Sequence, residues 1–214
     1  GKNAWLWVST SEDTTIYKAA ESRGKGIAQE LMDGSTAFTM TDGYKAYQNT
    51  VPIERHGYCW AHLLRFAHEE TVLEPPESPA VLLCQELVTI YQRIKTRDQY
   101  DSEYFSALIK NQLETITART LTEENRSYSA ICTRVQTQAQ GLAQALAYSP
   151  NGTNNRAEQA IRCMALVRTI SYGSDTYAGM EKTTINASVI VTYSHKYGRD
   201  MKHHVRNALR AGIK

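Results

Sequence analysis

The hydrophobic pattern changes period twice along this chain, and that limits the fold more than any other feature. Near the start, apolar residues fall in short aromatic and β-branched runs. "AWLWVST" and "TTIYKAA", joined by the polar "SED", read as two strands. From about Leu63 to Ala147 the apolar residues instead recur every three to four positions, as in amphipathic helices, with one Pro-rich break at "EPPESP". "SPNGTNN" closes that block, with Pro150 and Gly152 as punctuation. A strand, strand, helix, strand opening followed by about three long helices predicts an α/β protein with an all-helical insertion. The expected divisions are 1–66 for the first part of the core, 67–149 for the insertion and 150–214 for the rest of the core.

Individual segments refine this. "GKGIAQELMDG" predicts a short helix with Ile27, Leu31 and Met32 on one face, stopped at Gly34. "TAFTMTDGYKAY" predicts a strand ending at Asp42-Gly43, and "ERHGYCWAHLLRFAHEE" a short strand and then a helix. "AVLLCQELVTIYQRI" places Leu82, Leu83, Leu87, Ile90, Tyr91 and Ile94 on one expected stripe. The closing segment reads as a helix carrying Glu158, a Gly-marked turn "SYGSDTYAG", a further helix and a basic last helix.

The 214 residues suffice to bury a real core, and no apolar run is long enough to cross a membrane. No signal peptide is visible, and a start that lacks methionine reads as a chain cut from something longer. Cys59, Cys84, Cys132 and Cys163 are scattered without CxxC spacing, which fits reduced thiols better than a disulfide framework. The net charge of +2 is unevenly spread: residues 151–214 carry ten Lys or Arg against four Asp or Glu. That basic end fits either a polyanion such as DNA or a solvated face.

Two carboxylates stand out. Asp42 sits where an apolar strand meets a glycine turn, a rigid yet exposed mount for a metal ligand. Asp-Gly is equally a common turn pair. Glu158 stands three residues after Asn155, the spacing of a capping box, and one turn before Arg162, with which it could pair. Neither residue decides the matter alone.

"TDGYKAY", "CWAHLLRFAHEE" and "NNRAEQAIR" followed by "RTISYGSDTYAG" occur in the order and rough spacing of the IS66-family transposases, and the resemblance covers nearly the whole chain. It implies a DDE-type catalytic domain: an RNase H-like mixed sheet with flanking helices and a long helical insertion between the second and third acidic residues. On this resemblance Asp42 is the second acidic residue and Glu158 the third. Together they would hold metal, two Mg²⁺ (or Mn²⁺) ions in the complete site, for DNA strand cleavage and strand transfer. Such a pair of ions, about 3.5–4 Å apart, serves the attacking and the leaving oxygen. The two carboxylates are expected within about 8 Å of each other. The family's first Asp lies on a strand before "WLWV", and Asp13, in the polar turn, is no substitute. The reading is therefore an N-terminally truncated catalytic fragment, inactive by itself. The related sequences also carry Lys where this chain has Thr169.

The resemblance further implies DNA partners (transposon ends and target), a homo-oligomer, accessory transposition proteins and a cytoplasmic, nucleoid-associated setting without a membrane. Arg156, Arg162 and Arg168 are the candidates for phosphate contacts, because a guanidinium grips two oxygens at once. Arg65 is a phosphate contact or a solvent cap. Lys202, Arg206 and Arg210 are four apart on one face of the last helix, as a DNA-backbone contact or a solvated stripe. Cys59-Trp60-Ala61-His62 offers only half of a zinc site, so Cys59 and His62 are expected to be structural near the acidic site. Asn154 and Asn155 are expected to cap the Glu158 helix. Trp5 and Trp7 read as sheet packing, and Tyr44 and Tyr47 as packing around Asp42 or a DNA contact. Two alternatives stay open: a non-catalytic DNA-binding or assembly module on a degenerate RNase H-like scaffold, and an RNase H-like nuclease.

Overall fold

The computed structural model describes residues 4–97, 102–119, 124–171, 174 and 176–212. In chain order its elements are β1 (Trp5–Thr10), β2 (Thr15–Ala20), α1 (Lys25–Met32), β3 (Thr39–Thr41), β4 (His56–Tyr58), α2 (Trp60–Thr71), α3 (Pro79–Thr96), α4 (Ser102–Thr117), α5 (Arg126–Tyr148), α6 (Asn155–Ser171), α7 (Tyr177–Tyr197) and α8 (Met201–Gly212). Short 3₁₀ turns cover Lys45–Tyr47 and Ile53–Arg55. The protein is mixed α/β, mostly helical, with small sheets. The mixed pairing takes the form of two separate strand pairs among the described residues, β1–β2 antiparallel and β3–β4 parallel.

Contacts divide the chain into two compact units, Gly1–Leu31 with Asn155–Lys214, and Met32–Asn154. In the first, β1 and β2 form a hairpin whose register pairs Val8 with Tyr17. Its turn is organised by Asp13, whose Oδ1 accepts from Ser11 Oγ at 3.2 Å and Thr14 Oγ1 at 2.9 Å. Tyr17, Ala160 and Met164 form a small core, with Leu6, Val8, Ala187 and Val191 packed against it.

The outer edge of β2 is met by a helix rather than by a strand. Thr15 N–H donates to Thr192 Oγ1 at 3.0 Å, and Tyr17 N–H to Ser188 Oγ at 2.8 Å. The Thr192 hydroxyl donates in turn to Thr15 O at 3.1 Å, while the Ser188 hydroxyl donates to the Thr184 carbonyl of its own helix at 2.7 Å. Ser188 and Thr192 are four apart on α7, one helical turn, which suits the spacing of alternate strand residues. The device occupies backbone groups that would otherwise invite another strand.

In the second unit, α2, α3, α4 and α5 enclose the larger core, built around Trp60, Leu63, Leu87, Ile94, Ile109, Leu113, Ile131, Val135, Leu142 and Leu146. The expected stripe on α3 holds for Leu83, Leu87, Ile90 and Ile94, with Tyr91 half-buried. Leu82 is a correction: it is 49% exposed. It lies about 100° around the helix from Leu83, on the flank opposite Cys84, and Cys84 is buried instead. On α1 it is Ala28 that is fully buried, with Ile27, Leu31 and Met32 half-buried. α5 packs directly on β4 because Gly141 has no side chain. A Cβ there would lie 2.5 Å from Tyr58 Cδ2 and 2.7 Å from the His56 carbonyl. None of the described helices is long and apolar enough to cross a membrane.

Candidate functional site

Asp42 follows the last residue of β3 directly and is half-buried. Its Oδ1 accepts from the Tyr44 N–H at 2.8 Å, an Asx turn that fixes the carboxylate relative to its own backbone. Gly43 N–H donates to Thr41 Oγ1 at 3.3 Å, and that hydroxyl lies 2.9 Å from His56 Nε2. His56, the first residue of β4, is fully buried, and burial pulls its pKa down to about 4, so the ring is neutral. Tyr47 is held protonated, its pKa pushed up to about 12 by burial and then by the Asp42 charge.

Cys59 is buried at the position preceding α2 and accepts from the Asn154 N–H at 3.5 Å. Trp60 N–H donates to the Gly152 carbonyl at 2.9 Å. This element thus ties the start of α2 to the turn that closes the helical segment. His62 is half-buried in the first turn of α2, and Arg65 is exposed one turn on.

Glu158 lies in the first turn of α6 and is half-buried. The helix begins at Asn155, which makes that residue the first helical position rather than the cap. Asn154 stands in the cap position, yet its Oδ1 is buried without a hydrogen-bond partner. Asn154 Oδ1 therefore makes no side-chain cap, and the helix starts one residue earlier than the capping-box spacing assumes. Arg156 donates from Nη1 to the Ser11 carbonyl at 2.7 Å, so one of its donors holds the hairpin turn. Arg162 and Arg168 are exposed along α6. Thr169 turns its hydroxyl back to the Ala165 carbonyl at 3.0 Å.

On α8, Lys202, Arg206 and Arg210 are all exposed, while Met201, His204 and Val205 are half-buried. His204 stacks on Tyr197 of α7 with centroids 3.7 Å apart, which turns the basic stripe outward. Thr41, His56, Arg134 and Gln138, all close to the Asp42 turn, were not singled out by sequence. The available signal was Gln138, a polar residue among the apolar positions Val135, Ala139 and Leu142 of the buried face of α5.

The model of the transposase IS66 family matches residues 1–182. The chain belongs to the IS66 family of transposases. No curated protein and no solved structure matched it. Transposases move DNA, so membership makes DNA the substrate of the IS66 enzyme.

Proposed function

We propose that this chain is part of the catalytic domain of a DDE transposase with an RNase H-like core, in which Asp42 and Glu158 are the second and third acidic residues. The observation that carries the reading is the mounting of Asp42: a half-buried carboxylate at a strand's end, fixed by the Tyr44 amide. Glu158, half-buried in the first turn of α6, offers a second carboxylate on a rigid element. Carboxylate oxygens are the hard donors that Mg²⁺ and Mn²⁺ take, so this donor set fits the ions. When bound, such ions supply an activated oxygen nucleophile and relieve charge on the leaving oxygen.

The chain's own groups hold the DNA. Arg162 and Arg168 project from α6 and Arg65 from α2, each with a fork suited to phosphate oxygens. Arg156 keeps donors beyond the one that it gives to Ser11. Lys202, Arg206 and Arg210 add a sequence-independent backbone contact along α8.

The test uses the full-length protein and transposon-end DNA. Glu158→Gln and Asp42→Asn each remove the metal-holding charge with little change of shape. Both are expected to abolish strand transfer while DNA affinity stays within about two-fold. Strand transfer retained by either variant sinks that residue's role.

A further inference from the structure

The Asp42–Gly43 turn is gripped by a helix that belongs to neither of its strands. α5 brings Arg134 and Gln138 to it, four residues apart and so on one face. Gly43 adopts φ +82, and a Cβ there would come within 2.7 Å of Gln138 Nε2 and 3.1 Å of Arg134 Nη2. The glycine therefore both makes the turn and admits the two side chains. Arg134 Nη2 lies 3.4 Å from the Asp42 carbonyl oxygen, within donating range. The guanidinium carbon Cζ lies over the Phe66 ring, 4.5 Å from its centroid. Asp42 and Glu69 are the acidic groups whose charge acts on it.

Arg134 Nε is buried without a hydrogen-bond partner. A guanidinium kept there with a donor unsatisfied is a poor choice for stability alone, because an apolar side chain could fill the slot without burying a charge. What arginine alone provides is a planar group that stacks on Phe66 and aims a cationic N–H at the Asp42 backbone. We propose that Arg134 is a positioning residue for catalysis: stacked on Phe66, it locks the Asp42–Gly43 turn so that the Asp42 carboxylate stays aimed at the reaction centre. The helical segment is then part of the active site's support and not a passive insert. The inference rests on the reading of Asp42 as an active-site carboxylate.

The experiment measures single-turnover cleavage of transposon-end DNA by the full-length protein at saturating Mg²⁺, alongside DNA affinity and Tm. Arg134→Lys keeps the charge and removes the flat face and the fork. Its cleavage rate is expected to fall about ten-fold or more, the usual size for a residue that orients a ligand. DNA affinity should stay within about two-fold and Tm within about 3 °C, since no core volume is lost. Phe66→Leu removes the platform beneath Arg134 and should cost about three-fold, with the double variant no slower than Arg134→Lys. Cleavage by Arg134→Lys within about two-fold of the parent overturns the proposal, as does a rate loss matched by an equal loss of DNA affinity. If Arg134→Lys does not fold, Phe66→Leu decides alone, and a parental rate there overturns the proposal. Asp42→Asn, run in parallel, separates the two claims. If it retains cleavage, the reading of Asp42 fails; if it abolishes cleavage while both other variants match the parent, only the positioning role fails.

Discussion

The indole Nε1 of Trp60 donates a 3.0 Å hydrogen bond to the Leu142 carbonyl on α5, and Trp60 is completely buried. This bond joins the first residue of α2 to the middle of the longest helix, within the core that both share. Trp60→Phe keeps most of the apolar volume and removes the second of two hydrogen bonds to the Leu142 carbonyl, which also accepts within α5. The expected loss is about 0.5–1.5 kcal/mol of stability, read by chemical denaturation with an unchanged m-value.

Gly141→Ala sets two effects against each other. In an isolated helix the change would stabilise by about 1 kcal/mol. Here the new Cβ would meet Tyr58 at 2.5 Å and the His56 carbonyl at 2.7 Å, and backbone of a paired strand cannot give way cheaply. Overpacking costs about 1–3 kcal/mol and wins. A net destabilisation in thermal or urea melts is the expected outcome.

The His56 ring supplies a pH dependence. Its pKa is about 4 in the folded protein against the ordinary 6.5, so between those values the unfolded chain binds the proton that the folded chain refuses. Nothing is lost above pH 6.5. Stability then falls as the pH drops toward 4, by up to about 3 kcal/mol. His56→Gln should flatten this part of the stability profile measured from pH 7 to 4.

Removing the two α7 hydroxyls tests the covered edge of β2. Ser188→Ala with Thr192→Val leaves the Thr15 and Tyr17 amides and the Thr15 carbonyl without those partners. Each change should cost about 1–3 kcal/mol, and the bared edge should raise the tendency to aggregate. Light scattering during slow heating reads the second effect separately from the first.

Neutralising Lys202, Arg206 and Arg210 together should leave Tm unchanged, because all three are exposed. Affinity for duplex DNA should drop regardless of sequence. The slope of log K against log salt should flatten by about 2–3, close to one per lost phosphate contact. An unaltered slope would make the stripe a solvated face.

Local signals carried much of the fold. The β1–β2 hairpin was legible from its aromatic and β-branched runs around "SED", and the α3 core stripe from its period. Leu82 was misplaced because a stripe read from one helix cannot tell which flank its neighbours cover. The Asp42 mount was legible from an apolar run that ends in Asp-Gly. What grips it was not: Arg134 is 92 residues away along the chain, and no short-range pattern marks such a contact. The same holds for Ser188, which meets Tyr17 across 171 residues. The capping-box spacing put the start of α6 one residue too late, since Asn155 is already helical, and helix starts are the positions that local pattern fixes least.

The bond from Tyr17 Oη to the Ala160 carbonyl, 2.9 Å long and spanning 143 residues, sets an order of events on the ribosome. The hairpin emerges before α6 and α7 and must wait for them before its apolar side and its outer edge are covered. At about 5–20 residues per second that delay is roughly 9–35 s. Meanwhile the Met32–Asn154 unit is one unbroken stretch and can close up as it is made. The nascent β2 edge therefore stays open to a chaperone until α7 has been made.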